Sequence, residues 1–110
     1  MEKNVEISIL FQIYKNMLTD KQIKILDEYY NKDFSLSEIA ENYNITRQAV
    51  RDNIKNAENK LYDLEEKLEL MQKIKKQEKI ISNVISKLDN LNIDDKKTLE
   101  IIKKELKKLI

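Results

Sequence analysis

Neither glycine nor proline occurs anywhere in the 110 residues. The chain lacks both the residue that enters left-handed backbone freely and the one that stops a helix outright. Helix is favoured nearly everywhere, and turns must be made by Asn, Asp and Ser. The expected fold class is therefore all-α. P-loops and dinucleotide fingerprints need glycine for close backbone approach to phosphate, so neither is expected. Cysteine and histidine are absent as well. Thiol catalysis, disulfides, imidazole acid–base chemistry and structural zinc drop out together.

Apolar spacing divides the chain into helices. Residues 4–18 place Val5, Ile9, Leu10, Ile13, Tyr14 and Met17 on an expected buried face. Thr19 with Gln22, and Ser35 with Glu38, have the three-residue spacing of capping boxes, in which each partner satisfies a backbone N–H of the other. A helix from about Asp20 to Tyr30 should bury Ile23, Leu26 and Tyr30, and Asn31-Lys32-Asp33 should turn the chain. The next helix, Leu36 to Tyr43, turns Leu36, Ile39, Ala40 and Tyr43 to one side. Asn44 is then suited to left-handed backbone, Ile45 to the core, and Thr46 to capping a fourth helix.

That fourth helix has no evident end. Val50, Ile54, Ala57, Leu61, Leu64, Leu68 and Met71 step by three and four, as a heptad seam does. A second seam, through Leu70, Ile74, Ile81, Val84, Leu88 and Leu91, is offset by one position. The slip reads as a coiled-coil irregularity or a hinge near residues 72–79. Unbroken, residues 47–89 would span roughly 65 Å. Asn90 to Asp94 should form a turn, with Asp94 capping a last helix to Ile110. That helix, roughly 24 Å long, is too short to cover the whole seam. The expected architecture is a helix-turn-helix domain over 1–60, continued over 61–110 by the long helix and a C-terminal helix. Leu61, Leu64, Leu68 and Met71 would join two copies, although the same face could dock another protein's helix.

Two short helices with a tight turn between them, Ser35 to Lys60, have the layout in which one helix braces and the next presents its first turns to a partner. The candidate contact residues are Thr46, Arg47, Gln48, Arg51, Asp52 and Lys55. Arg47, Arg51 and Lys55 form one stripe beside the inward-facing Val50, Ile54 and Ala57. Arginine can grip guanine bidentately and glutamine adenine. The chain as a whole carries 21 basic against 20 acidic residues, so any anion-binding surface must be local. The carboxylates at Asp63, Glu65, Glu66, Glu69, Asp94 and Asp95 alternate with lysines and read as solvated ion pairs rather than metal ligands. No catalytic residue, metal, cofactor or small-molecule substrate is expected. No stretch is apolar enough for a signal peptide or a membrane span, and a reducing cytoplasmic setting is the default.

Residues 18–60 resemble the last DNA-binding region of bacterial sigma factors. The chain more closely resembles the YlxM family of small bacterial helix-turn-helix proteins. The residues that carry this are Leu18-Thr19 with Lys21-Gln22, Tyr29-Tyr30, Ser35-Leu36 with Glu38-Ile39-Ala40-Glu41, and Arg47-Gln48-Ala49-Val50 with Asp52-Asn53-Ile54-Lys55, continued by Leu61, Glu65 and Leu68. Asn56 departs from the pattern, standing where a basic residue is expected. The resemblance implies an accessory or regulatory protein of the signal recognition particle pathway, since family members are encoded beside the particle's GTPase and its receptor. The implied partners are that GTPase or the particle's RNA. The sigma-like motif leaves a dimeric DNA-binding regulator as the alternative.

Overall fold

A computed structural model describes residues 1–110 apart from Ile93, and it is helical throughout the elements it defines. The elements are α1 (Lys3–Tyr14), a 3-10 turn (Lys15–Met17), α2 (Asp20–Leu26), a π turn (Asp27–Asn31), α3 (Leu36–Tyr43), α4 (Arg47–Leu68), α5 (Leu70–Asp89) and α6 (Lys96–Lys107). They form two compact units, Met1–Glu69 and Leu70–Ile110. The division falls at 69/70 rather than at 60/61. The last turns of α4 still belong to the first core: Leu61 is fully buried, and the Tyr14 hydroxyl donates to Glu65 Oε1 at 2.7 Å.

In the first unit α4 is the common partner of α1, α2 and α3. Its inward side chains Val50, Ile54, Ala57 and Leu61 are buried with Ile25, Leu26 and Ile39. Each of the Val, Ile and Leu side chains contributes roughly 1.5–3 kcal/mol. α1 buries a face rotated from the expected one: Leu10 and Tyr14 are inside as expected and Ile9 and Ile13 are half-buried, but Val5 and Met17 are displaced by Ile7 and Phe11. Val5 and Met17 are about half exposed (49% and 51%). Both sets have helical spacing and α1 is apolar nearly all round, so periodicity had no means of choosing between them.

Local signals hold. Both capping boxes form: Gln22 N–H donates to Thr19 Oγ1 (3.2 Å) and Thr19 N–H to Gln22 Oε1 (3.0 Å), and Ser35 and Glu38 exchange the same pair at 3.1 Å each. The second helix is straight only to Leu26. Beyond it the backbone widens into the π turn, with Lys32 N–H on Asp27 O (3.1 Å) and Phe34 N–H on Glu28 O (2.9 Å). The widening brings Tyr29 and Tyr30 edge to face, 5.0 Å between ring centres. Asp33 closes the turn at φ 55°, a conformation Asp accepts more readily than most residues.

The break in the long helix is at Glu69, not within 72–79. Glu69 adopts left-handed backbone (φ 54°, ψ 31°) and ends α4; α5 then runs unbroken through the polar stretch. Lys, Gln and Glu are good helix formers, so polarity alone interrupts nothing. The break falls where one apolar seam hands over to the other, and α4 is therefore only about 33 Å long.

In the second unit α5 and α6 run antiparallel. Lys103 Nζ lies 2.6 Å from Asp89 Oδ1 at one end, and Gln77 Nε2 donates to Leu109 O at 3.1 Å further along. The cap of α6 is Asp95 rather than Asp94: its Oδ1 accepts from Thr98 N–H (3.0 Å) and its Oδ2 from the Thr98 hydroxyl (2.6 Å). Only Asp95 has Thr98 three residues ahead to supply both donors. Those bonds hold the Asp95 carboxyl below the usual range, the hydroxyl bond foremost. The expected 90–94 turn includes Ile93, which lies outside the described residues.

Candidate nucleic-acid interface

The turn between α3 and α4 is built from backbone hydrogen bonds. Asn44 takes left-handed backbone (φ 54°, ψ 46°). Its N–H reaches Glu41 O (3.2 Å), and Ile45 N–H reaches Ala40 O (3.0 Å). This is the paired closure that ends many helices, made here by Asn in place of glycine. Two residues on, Thr46 Oγ1 accepts from Ala49 N–H at 3.0 Å and starts α4. The sharp corner allows one face of α4 to be gripped while its first turns remain outside.

Every candidate contact residue is at the surface. Thr46, Arg47, Gln48, Arg51, Asp52 and Lys55 are all exposed. Gln48 Nε2 donates to Asp52 Oδ1 at 3.0 Å, so these two occupy each other. Among the described residues, Arg47, Arg51 and Lys55 have no ion-pair partner. The stripe thus carries three uncompensated cations on a helix whose other side is locked in the core. Such groups suit phosphate contacts and base edges.

α4 is also positioned by tyrosine–carboxylate pairs. Besides the Tyr14–Glu65 bond, the Tyr30 hydroxyl donates to Glu58 Oε1 (2.6 Å), and Glu58 Oε2 meets Lys3 Nζ at 3.1 Å. The Tyr43 hydroxyl donates to Glu28 Oε1 (2.9 Å), tying α3 to the π turn. Burial first, and then the partner carboxylate, pushes the phenols of Tyr30, Tyr43 and Tyr62 above their ordinary value, with Glu6 the partner for Tyr62.

Sequence reasoning missed a cleft of about 460 Å³ beside the stripe. Tyr29 and Tyr30 line it from the π turn, and Arg51, Lys55 and Tyr62 from α4. Its one signal was the run 51, 55, 58, 62, which keeps to one side of a helix. The approach of the π turn to that side was not written in any local pattern.

The four expected seam residues are not equivalent. Leu61 is taken up by the first unit's own core. Leu64 and Met71 are half-buried, and Leu68 is 38% exposed. Among the described residues, no group of three or more acidic side chains could hold a metal ion, and no helix is long and apolar enough to cross a membrane.

The braced α3, the tight Asn44-Ile45 turn and the capped, outward-facing start of α4 define a helix-turn-helix protein. More narrowly, the chain belongs to the UPF0122 family, described as "Putative helix-turn-helix protein, YlxM / p13 like", whose model matches residues 1–104. A UPF0122 protein of Mycoplasma capricolum is 42% identical over 103 residues, covering 94% of this chain and 88% of the relative. A probable UPF0122 protein of Mycoplasma mycoides is 43% identical with the same coverage. One from Bacillus cereus is 39% identical over 107 residues, covering 94% and 97%.

Proposed function

We propose that this protein is a non-enzymatic accessory factor of the signal recognition particle pathway, working in the cytoplasm and meeting the particle's RNA or GTPase through the α3–α4 face. The carrying observation is the exposed stripe of Arg47, Arg51 and Lys55, without an ion-pair partner among the described residues, on a helix held rigidly from behind. Family membership supports the choice of pathway through the resemblance described above. A near-neutral chain with three unpaired cations on this stripe, among the described residues, suits a ribonucleoprotein surface better than extended coating of a phosphate backbone, which takes many contacts. In a pull-down with the assembled particle, the wild-type protein is retained, and Arg47→Glu and Arg51→Glu each reduce retention. No retention of the wild type, or equal retention of all three, overturns the reading.

A homodimer is part of the proposal. The second unit leaves Ile80, Leu91, Ile101 and Leu109 more than half exposed, more apolar surface than a 41-residue unit keeps wet without a partner. Sedimentation should give about twice 13.2 kDa, and Leu64→Lys with Leu68→Lys should halve it. An unchanged mass in the double variant removes the α4 end from the interface.

The start of α4 favours one alternative, a dimeric DNA-binding regulator, because Thr46 presents Arg47 and Gln48 at the helix tip as recognition helices do. That reading requires a palindromic site from a genomic-fragment selection, with affinity falling steeply as salt rises.

A further inference from the structure

We propose that the cleft beside α4 holds one unpaired nucleotide of an RNA strand, its base against the tyrosines and its phosphate on Arg51 and Lys55. The inference deepens the function above and rests on it only in taking RNA as what meets α4.

Two observations and one consideration of shape converge on this occupant. The first is composition. Tyr29, Tyr30 and Tyr62 line one concavity with Arg51 and Lys55, and at about 460 Å³ it has the dimensions of a small-ligand site. Aromatic rings stack on the face of any base, and cations set among them track the backbone.

The second is charge. The carboxylate lining the cleft, Glu58, is held by Lys3 on one oxygen and by the Tyr30 hydroxyl on the other. Arg51 and Lys55, one turn apart, have no such partner among the described residues. The cleft therefore presents net positive charge. The Tyr30 and Tyr62 phenols remain protonated at neutral pH, because burial and then their carboxylate neighbours raise them.

The third is shape. A duplex keeps its bases stacked inside and offers only phosphates and groove edges. A tyrosine-lined hollow is filled by a base that has left the stack, as in loops, bulges and single strands. The exposed tip of α4, at Arg47, remains available to position the flanking backbone.

The test uses the full chain and two fluorescein-labelled RNAs, read by anisotropy at one salt concentration: a twelve-residue oligouridine, whose bases are unstacked in solution, and a fully paired duplex of the same length. The single strand should bind more tightly than the duplex. Tyr29→Leu and Tyr62→Leu should each weaken it about tenfold, the size of one lost stacking contact, and leave duplex binding unchanged. Tyr62→Trp should keep single-strand affinity within about threefold, separating a stacking role from a packing one. Circular dichroism restricts the comparison to variants that melt as the wild type does, and Tyr29→Leu, at the half-buried π turn, serves if Tyr62→Leu fails to fold. Equal affinity for strand and duplex overturns the proposal. So does single-strand binding indifferent to both leucine changes, and so does displacement by an oligoglutamate peptide that is equally effective against wild type and Tyr29→Leu. Particle retention lost in Arg47→Glu but kept in Tyr29→Leu sinks the cleft and leaves the accessory role. Tyrosine-dependent strand binding with no particle retained does the reverse.

Discussion

The two units draw on the same aliphatic residues and bury them differently, the aromatic side chains all lying in the first. In Met1–Glu69, four helices converge, and eight large side chains, Tyr14 and Leu61 among them, are fully buried. In Leu70–Ile110, among the described residues, Ile81 alone is buried, although α5 and α6 are as rich in Ile and Leu. Two helices can shelter only the stripe between them, whereas a helix surrounded by three others is covered on most of its apolar face. Helix content is therefore a poor guide to self-sufficiency: the first unit has a core of its own, and the second leaves most of its apolar side chains exposed among the described residues.

The sharpest way to break this contrast is to separate the units. A fragment of residues 1–69 should melt cooperatively, whereas a fragment of residues 70–110, near the roughly 40-residue lower bound for an unassisted core, should lose most of its helical circular dichroism at micromolar concentration. A cooperative melt from the second fragment alone would erase the distinction. Next in size, Leu61→Ala should cost the first unit about 2–5 kcal/mol in urea unfolding, while Ile80→Ala, at a side chain 63% exposed, should change that value by no more than about 0.5 kcal/mol. Tyr14→Phe removes the hydroxyl that binds Glu65 and should cost about 1.5–3 kcal/mol, the range for a hydrogen bond to a charged group.

The caps give a smaller and more local comparison. Thr46→Ala should reduce protection of first-unit amides against hydrogen exchange by about 1 kcal/mol. Asp95→Ala should leave those amides unchanged and act only on α6. The smallest expected effect is alkaline. Tyr30 is raised by burial and then by Glu58, so the folded state keeps a proton that the unfolded chain releases near its ordinary value of 10.0. The stabilisation is complete well below pH 10, begins to fade at about pH 9 and is lost progressively as pH rises through 10 and above. The melting temperature should fall between pH 9 and 11.5, and the fall should be smaller in Tyr30→Phe.

Interactions that close within a few residues were legible. Thr19 with Gln22, Ser35 with Glu38 and Thr46 with Ala49 are each three residues apart, and Asn44 entered left-handed backbone as its chemistry suggested. The candidate contact residues were legible for the same reason: a wheel drawn on α4 already separates Arg47, Arg51 and Lys55 from Val50, Ile54 and Ala57. α1 was not. Val5 and Ile7 have equal claims on the interior until α4 is in place to choose. The register slip at Leu68–Leu70 was visible, yet its cause was placed in the polar stretch beyond it.

By itself, then, the sequence determined that the chain is helical, where most helices begin, and which side of α4 carries its charge, because each of these depends on neighbours within a turn or two. The tertiary structure alone decided which face of α1 is buried, that Glu69 ends α4, that the π turn carries Tyr29 and Tyr30 to the flank of Arg51 and Lys55, and that residues 70–110 remain largely uncovered. Those outcomes depend on side chains tens of residues apart competing for one limited interior, and no local pattern records the result of that competition.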